Sequence, residues 1–168
     1  MMKKTLFILS SMAFLGTGWS AVKVGVVDLE KALQGVKKGR DAKARLEKKF
    51  KEKKDKFDKQ KKDFETAQEE FKKKSVVLSE KAKGEQMMAL QQKYAELQQS
   101  NQAAQVEMQQ EEIKETQPII KGLSEMMVDV GKEAGVEMVF ESKAGLLFAT
   151  DKIDLTEKLV SRYDSKNK

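Results

Sequence analysis

Apolar residues recur along the middle of the chain with the period of a helix that meets another helix. Phe50, Phe57, Phe64, Phe71 and Leu78 fall at strict seven-residue intervals, which places them in one stripe on one helix. A short polar stretch, Lys81 to Gly84, separates them from a second series: Met87, Leu90, Tyr94, Leu97, Asn101, Ala104 and Met108, spaced alternately three and four. That alternation is a heptad seam on a second helix. A reversal near Ala82 and Lys83 brings the series into register, with Leu78 opposite Met87, Phe71 opposite Tyr94, Phe64 opposite Asn101 and Phe57 opposite Met108. The pattern predicts one long antiparallel helical hairpin, with roughly fifty residues per helix and an extension of about 75 Å. Lys53, Gln60, Asn101 and Glu111 hold seam positions that a tight coiled coil fills with apolar residues, so the arms are expected to stay helical while splaying and flexing.

Outside the hairpin the pattern changes. Val22 to Val27 alternates apolar residues with Lys23 and Gly25 and reads as a short strand. Asp28 can cap a helix starting at Leu29, because its carboxylate can accept from the exposed first-turn amides. Leu29, Leu33 and Val36 form one face of that helix, and Gly35 and Gly39 predict a bend in it. On the far side, Ile113, Ile120, Leu123 and Met127 continue the return helix, with a kink expected at Pro118 and termination at Gly135. Val136 to Phe140 reads as a strand, Ser142 to Gly145 as a turn and Leu146 to Ala149 as a second strand, completing a hairpin. Asp154 and Glu157 resemble a capping box for a last helix carrying Leu155, Leu159, Val160 and Tyr163. The fold class is α+β, mainly α: an arm over residues 41–116 projecting from a small strand-containing body over residues 21–40 and 117–168.

Residues 1–20 have the form of a secretory signal: Lys3 and Lys4, an apolar run from Leu6 to Leu15, then small residues. Cleavage after Ser20 leaves Gly18 at the third position before the cut, so the mature chain is expected to begin at Ala21 and to be exported and soluble. An uncleaved anchor is the competing reading, though the run is short for a bilayer span. No cysteine follows the run, which removes a bacterial lipid anchor.

Composition narrows the chemistry. The chain has no cysteine and no histidine, so disulfides, zinc sites built on those residues and imidazole-dependent triads are excluded. Carboxylates are plentiful but lie among lysines on helix faces, with no convergent pair; neither an enzyme nor a cofactor is expected. From Lys37 to Lys62, fourteen lysines and arginines stand against five acids. This is either a surface that attracts acidic partners or a solvated helix exterior. The aromatic and methionine stripe likewise either packs the two helices together or stays half covered and open to irregular partners. Candidate contacts are Phe50, Phe57, Phe64, Phe71, Met87 and Met88, with Lys53, Lys54, Lys61 and Lys62 beside them. The strands and last helix supply only about forty residues, near the lower limit for an independent core. Self-association is the remaining stabiliser, through strand edges and the apolar residues Val24, Val26, Met138, Phe140 and Leu147.

The opening stretch, Lys23-Val24-Gly25-Val26-Val27-Asp28-Leu29-Glu30-Lys31-Ala32-Leu33-Gln34, resembles that of the Skp/OmpH family of periplasmic chaperones. The closing stretch, Gly135 to Phe140 followed by Leu147-Phe148-Ala149 and Ile153-Asp154-Leu155-Thr156, is similar to the same family's last strands and helix. The resemblance implies a homotrimer with a strand-built body and three helical tentacles around a cavity. It further implies a periplasmic protein that holds unfolded outer-membrane proteins without ATP and has no active site. The middle matches in composition more than in sequence, so no client-contacting residue carries over. A membrane-surface or lipopolysaccharide contact has no motif that can be placed here. Two other readings compete: a periplasmic coiled-coil spacer or adaptor, and a nucleic-acid binder. Export and the lack of aromatic interleaving argue against the latter.

Overall fold

The structure, a computed structural model, describes residues 22–167 apart from 145, 147, 149 and 151. The expected signal segment and the expected mature terminus at Ala21 therefore lie outside the described residues. The elements run β1 (Val24–Val27), α1 (Leu29–Gly35), α2 (Lys37–Lys74), α3 (Glu80–Ala134), β2 (Met138–Glu141), β3 (Lys152–Asp154) and α4 (Thr156–Lys166).

Local chemistry explains most of the boundaries. Asp28 caps α1 as expected, its carboxylate accepting from Lys31 N at 2.9 Å. The expected bend is a break: α1 ends at Gly35, Val36 is extended, and α2 starts at Lys37. Gly39 permits it, because a Cβ there would sit 1.7 Å from Leu33 O. Gly135 ends α3 in the left-handed conformation at φ 66°, its N–H donating to Lys132 O at 3.1 Å. Asp154 accepts from Thr156 N at 2.9 Å at the start of α4, although Leu155 is the capping position. Pro118 lies inside α3, which continues through it.

The strands differ from expectation. Rather than a hairpin, the body holds a three-stranded parallel sheet in the order β2-β1-β3. Leu146 and Phe148 belong to a connection, with Phe148 exposed, and the third strand forms at Lys152–Asp154. The reason is burial. β1, Val-Gly-Val-Val, is almost fully covered, as suits the centre of a parallel sheet. It can therefore take a partner on each edge, Val24 pairing with Met138 on one side and Lys152 on the other.

One face of the sheet closes the core, where Val27, Val36, Leu123, Val130 and Leu159 are fully buried. Gly25 looks the same way, since a Cβ there would meet Leu155 Cδ1 at 2.7 Å and Val139 Cγ2 at 3.4 Å. Side chains alternate across a strand, so Val24, Val26, Met138 and Phe140, adjacent in register, share the opposite face. Met138 and Phe140 on it are exposed. Of the five residues expected to mediate self-association, Met138 and Phe140 are therefore open on this face, Val24 is half-buried, Val26 is already buried within the chain, and Leu147 lies outside the described residues.

The chain reverses earlier than Ala82 and Lys83. α2 ends at Lys74 on three consecutive lysines, which suit the negative end of its dipole. Ser79 then caps α3, accepting from Ala82 N at 3.3 Å. Lys81 to Gly84 is consequently helix, and Val76 and Val77 form the tip, 83% and 84% exposed. α2, at 38 residues, is about 57 Å long, shorter than expected from a later turn.

Glycine substitutions separate these features. Gly39→Ala should destabilise the body by about 1–3 kcal/mol, because the added methyl meets backbone that cannot yield. Gly84→Ala meets nothing within 4 Å and should stabilise the arm by about 0.5–1 kcal/mol. Urea unfolding followed by circular dichroism reads both; a loss of stability in Gly84→Ala would place the reversal back at residues 82–83.

Candidate functional site

α2 and α3 run antiparallel, and their cross-contacts define the arm. Near its root Arg45, Lys49 and Lys53 pair with Glu115, Glu111 and Glu107. Each step of four along α2 is matched by a step of four back along α3, so the pairs form a ladder of like spacing. Farther out, Ser100 Oγ donates to Gln60 Oε1 at 3.0 Å. Beyond that, the rings of Phe64 and Tyr94 lie 5.7 Å apart at 43°, a favourable tilted contact.

Sequence spacing had set Tyr94 opposite Phe71, and the structure corrects this. Phe64, one heptad earlier, faces Tyr94; Phe57 shares a groove with Asn101; and Phe71 lies nearer Gln86 and Leu90. The earlier reversal slides the seam by one heptad, and a seven-residue repeat looks the same after such a slide. The polar seam residues are also accounted for: Lys53 and Glu111 are ion-paired, and Gln60 is hydrogen-bonded.

At the root the helices leave a groove of about 900 Å³ between them. Phe50, Phe57 and Met108 give it an apolar wall, while Lys53 and Lys54 line it together with the acids Glu47, Asp58 and Glu112. The groove stays open because small Ala104 and polar Asn101 stand where a tight seam would place large apolar residues. Phe50 remains 60% exposed. Of the expected contact residues, the structure therefore gathers Phe50, Phe57, Lys53 and Lys54 in one place. Phe64 is half-buried against Tyr94, and Phe71 lines a smaller groove toward the tip. Met87 and Met88 are exposed near the start of α3, away from the root groove. Lys61 lies 3.8 Å from Glu65 of its own helix, and Lys62 is exposed.

Sequence reading missed the ladder partners Arg45, Lys49, Glu107 and Glu115. The signal was present as two runs of opposite charge at four-residue spacing. Hydrogen bonds from Lys49 and Arg45 hold the carboxyls of Glu111 and Glu115 below their ordinary range. The same bonds raise Lys49 and Arg45. The carboxyls are half-buried but still reached by solvent, so each pair contributes modestly alone.

A long helical hairpin with an open groove of mixed charge, raised on a small parallel-sheet body, defines a hairpin-armed α+β protein. The family model described as "Outer membrane protein (OmpH-like)" matches residues 23–163. The chain belongs to this Skp/OmpH family, a chaperone family and not an enzyme class. A crystal structure from Caulobacter crescentus, assigned as an outer membrane chaperone (OmpH-like), has the same fold. It matches with a TM-score of 0.72 and 19% identity, over 92% of each chain. No curated protein matches the chain. Among the described residues, no helix is long and apolar enough to cross a membrane.

The ladder gives the arm an acid response. Glu111 and Glu115 titrate lower in the paired arm than in a free chain, so pairing is favoured above their ordinary value of 4.5. That contribution is lost as pH falls through the folded values. Spin labels at Lys56→Cys and Ala103→Cys, on the two helices, should show a distance distribution that broadens on acidification below 4.5. An unchanged distribution down to about pH 3 would mean the ladder does not hold the arm.

Proposed function

We propose that the protein is an ATP-independent periplasmic holdase that binds unfolded outer-membrane proteins between its arms and keeps them from aggregating. The observation that carries this reading is the open groove of Phe50, Phe57 and Met108 beside the lysine-rich exterior of α2. A client strand of an unfolded barrel exposes alternating apolar residues. A basic wall attracts an acidic client at long range, and scattered half-covered apolar residues hold it at short range. Single contacts are weak, so retention comes from many at once.

In this reading residues 1–20 direct export and are removed, residues 41–116 form the arm, and residues 21–40 with 117–168 form the body. Val24, Val26, Met138 and Phe140, with Leu147, join three copies around a common axis. Two facts support the assembly: the body is small, and its sheet leaves Met138 and Phe140 exposed side by side. The contact residues are Phe50, Phe57, Phe64 and Phe71 with Met87 and Met88, and Lys53, Lys54, Lys61 and Lys62 supply the attraction.

The test is to mix the protein with a urea-unfolded outer-membrane barrel protein, dilute the denaturant, and follow light scattering together with complex mass. Suppressed scattering and a defined complex are expected. Unchanged client aggregation would favour a coiled-coil spacer instead. Raising salt from about 0.05 to 0.5 M should slow capture of an acidic client several-fold. Phe140→Asp should convert the assembly to monomers in native mass spectrometry, since it buries a charge where no partner waits.

A further inference from the structure

The side of α3 turned away from α2 carries no charge along the root half of the arm. α3 meets α2 through Tyr94, Ser100, Glu107, Glu111 and Glu115. On the opposite side, at seven-residue steps, stand Gln99, Val106, Ile113 and Ile120. The last three are 54%, 51% and 36% exposed. Gln102, Gln110 and Gln117 flank them and are exposed too, as is Gln109, which also reaches the edge of the root groove. At about 3.6 residues per turn, every charged residue between Gln99 and Ile120 falls elsewhere around the helix. In a chain that is 36% charged, solvation alone would not keep so long a strip neutral.

The strip is continuous with the body. Its next member, Met127, packs against the core. One turn farther, a Cβ on Gly131 would meet Val139 Cγ2 of β2 at 2.9 Å. The side of α3 that lies against the sheet in the body is therefore the side left open along the arm. It looks in the same direction as the apolar sheet face of Val24, Met138 and Phe140. If that sheet face joins copies, the strip lines the space between the arms.

We propose that this strip is a second surface that holds an unfolded polypeptide, with the client's main chain against the glutamine amides and its apolar side chains against Val106, Ile113 and Ile120. An extended client carries unpaired N–H and C=O groups at every residue. A glutamine amide offers both donors and an acceptor, and so matches main chain without regard to sequence. A neutral surface also repels neither sign of client charge. The strip thus adds to the groove: charge on the exterior of α2 governs arrival, and contact in the groove and along α3 governs residence.

This inference rests on the holdase reading, and the experiment separates the two. Complexes with a urea-unfolded outer-membrane barrel protein are formed with the wild-type chain, with Val106→Asp/Ile113→Asp and with Gln110→Glu/Gln117→Glu. All four positions are exposed, so the arm should fold in each variant. Release is then timed by transfer of labelled client to excess wild-type protein. Both variants should release about tenfold faster, while Lys51→Glu/Lys59→Glu, on the exposed exterior of α2 and outside the groove, should slow capture and leave release unchanged. If all forms suppress aggregation and release alike, the strip is not a holding surface, although the holdase reading stands. If the wild type does not suppress aggregation, the holdase reading falls and the strip with it. A photocrosslinker at Ile113 should join to client; joining to α3 of a sister copy instead would make the strip a seam between subunits and overturn the proposal.

Discussion

Parallel pairing of β1 with β2 is the constraint on which the rest depends. Two parallel neighbours cannot be linked by a tight turn, so the chain between them must travel out and come back on the same side. Here that crossover is α1, α2 and α3 together, and the whole arm is an elongated version of a short connecting helix. Both ends of the arm are thereby rooted in one small sheet. Arg45, Lys49 and Lys53 then meet Glu115, Glu111 and Glu107 just above that root.

The arm is held by contacts that are numerous and individually modest. Ion pairs at the root, one polar pair at Gln60 and Ser100, and one aromatic pair at Phe64 and Tyr94 replace the continuous apolar seam of a rigid coiled coil. This seam has two consequences at once. It leaves the groove beside Phe50 and Phe57 uncovered, and it keeps the helices paired without burying the surface a partner would need. The body spends its few apolar residues differently, sealing Leu123, Val27 and Leu159 completely while leaving Met138 and Phe140 outside.

Charge is divided between the two helices of the arm. Lysines crowd α2, whereas α3 turns Glu107, Glu111 and Glu115 toward α2 and, along the same stretch, presents glutamine and aliphatic residues on its far side.

Local chemistry made much of this legible in the sequence. The two heptad series, the Asp28 cap, the bend at Gly35 and Gly39 and the stop at Gly135 depend on residues within a turn or two of one another, so the chain alone announces them. Register was not legible, because a seven-residue repeat slid by one heptad presents the same stripe. Only the cap at Ser79 and the ladder from Arg45 to Glu115 select Phe64 for Tyr94. Strand partnership was hidden for a related reason. Leu146 to Ala149 has the composition of a strand, but pairing is a contest between distant segments for the edges of β1. Met138–Glu141 and Lys152–Asp154 hold those edges, and that outcome exists only once the chain has folded back on itself.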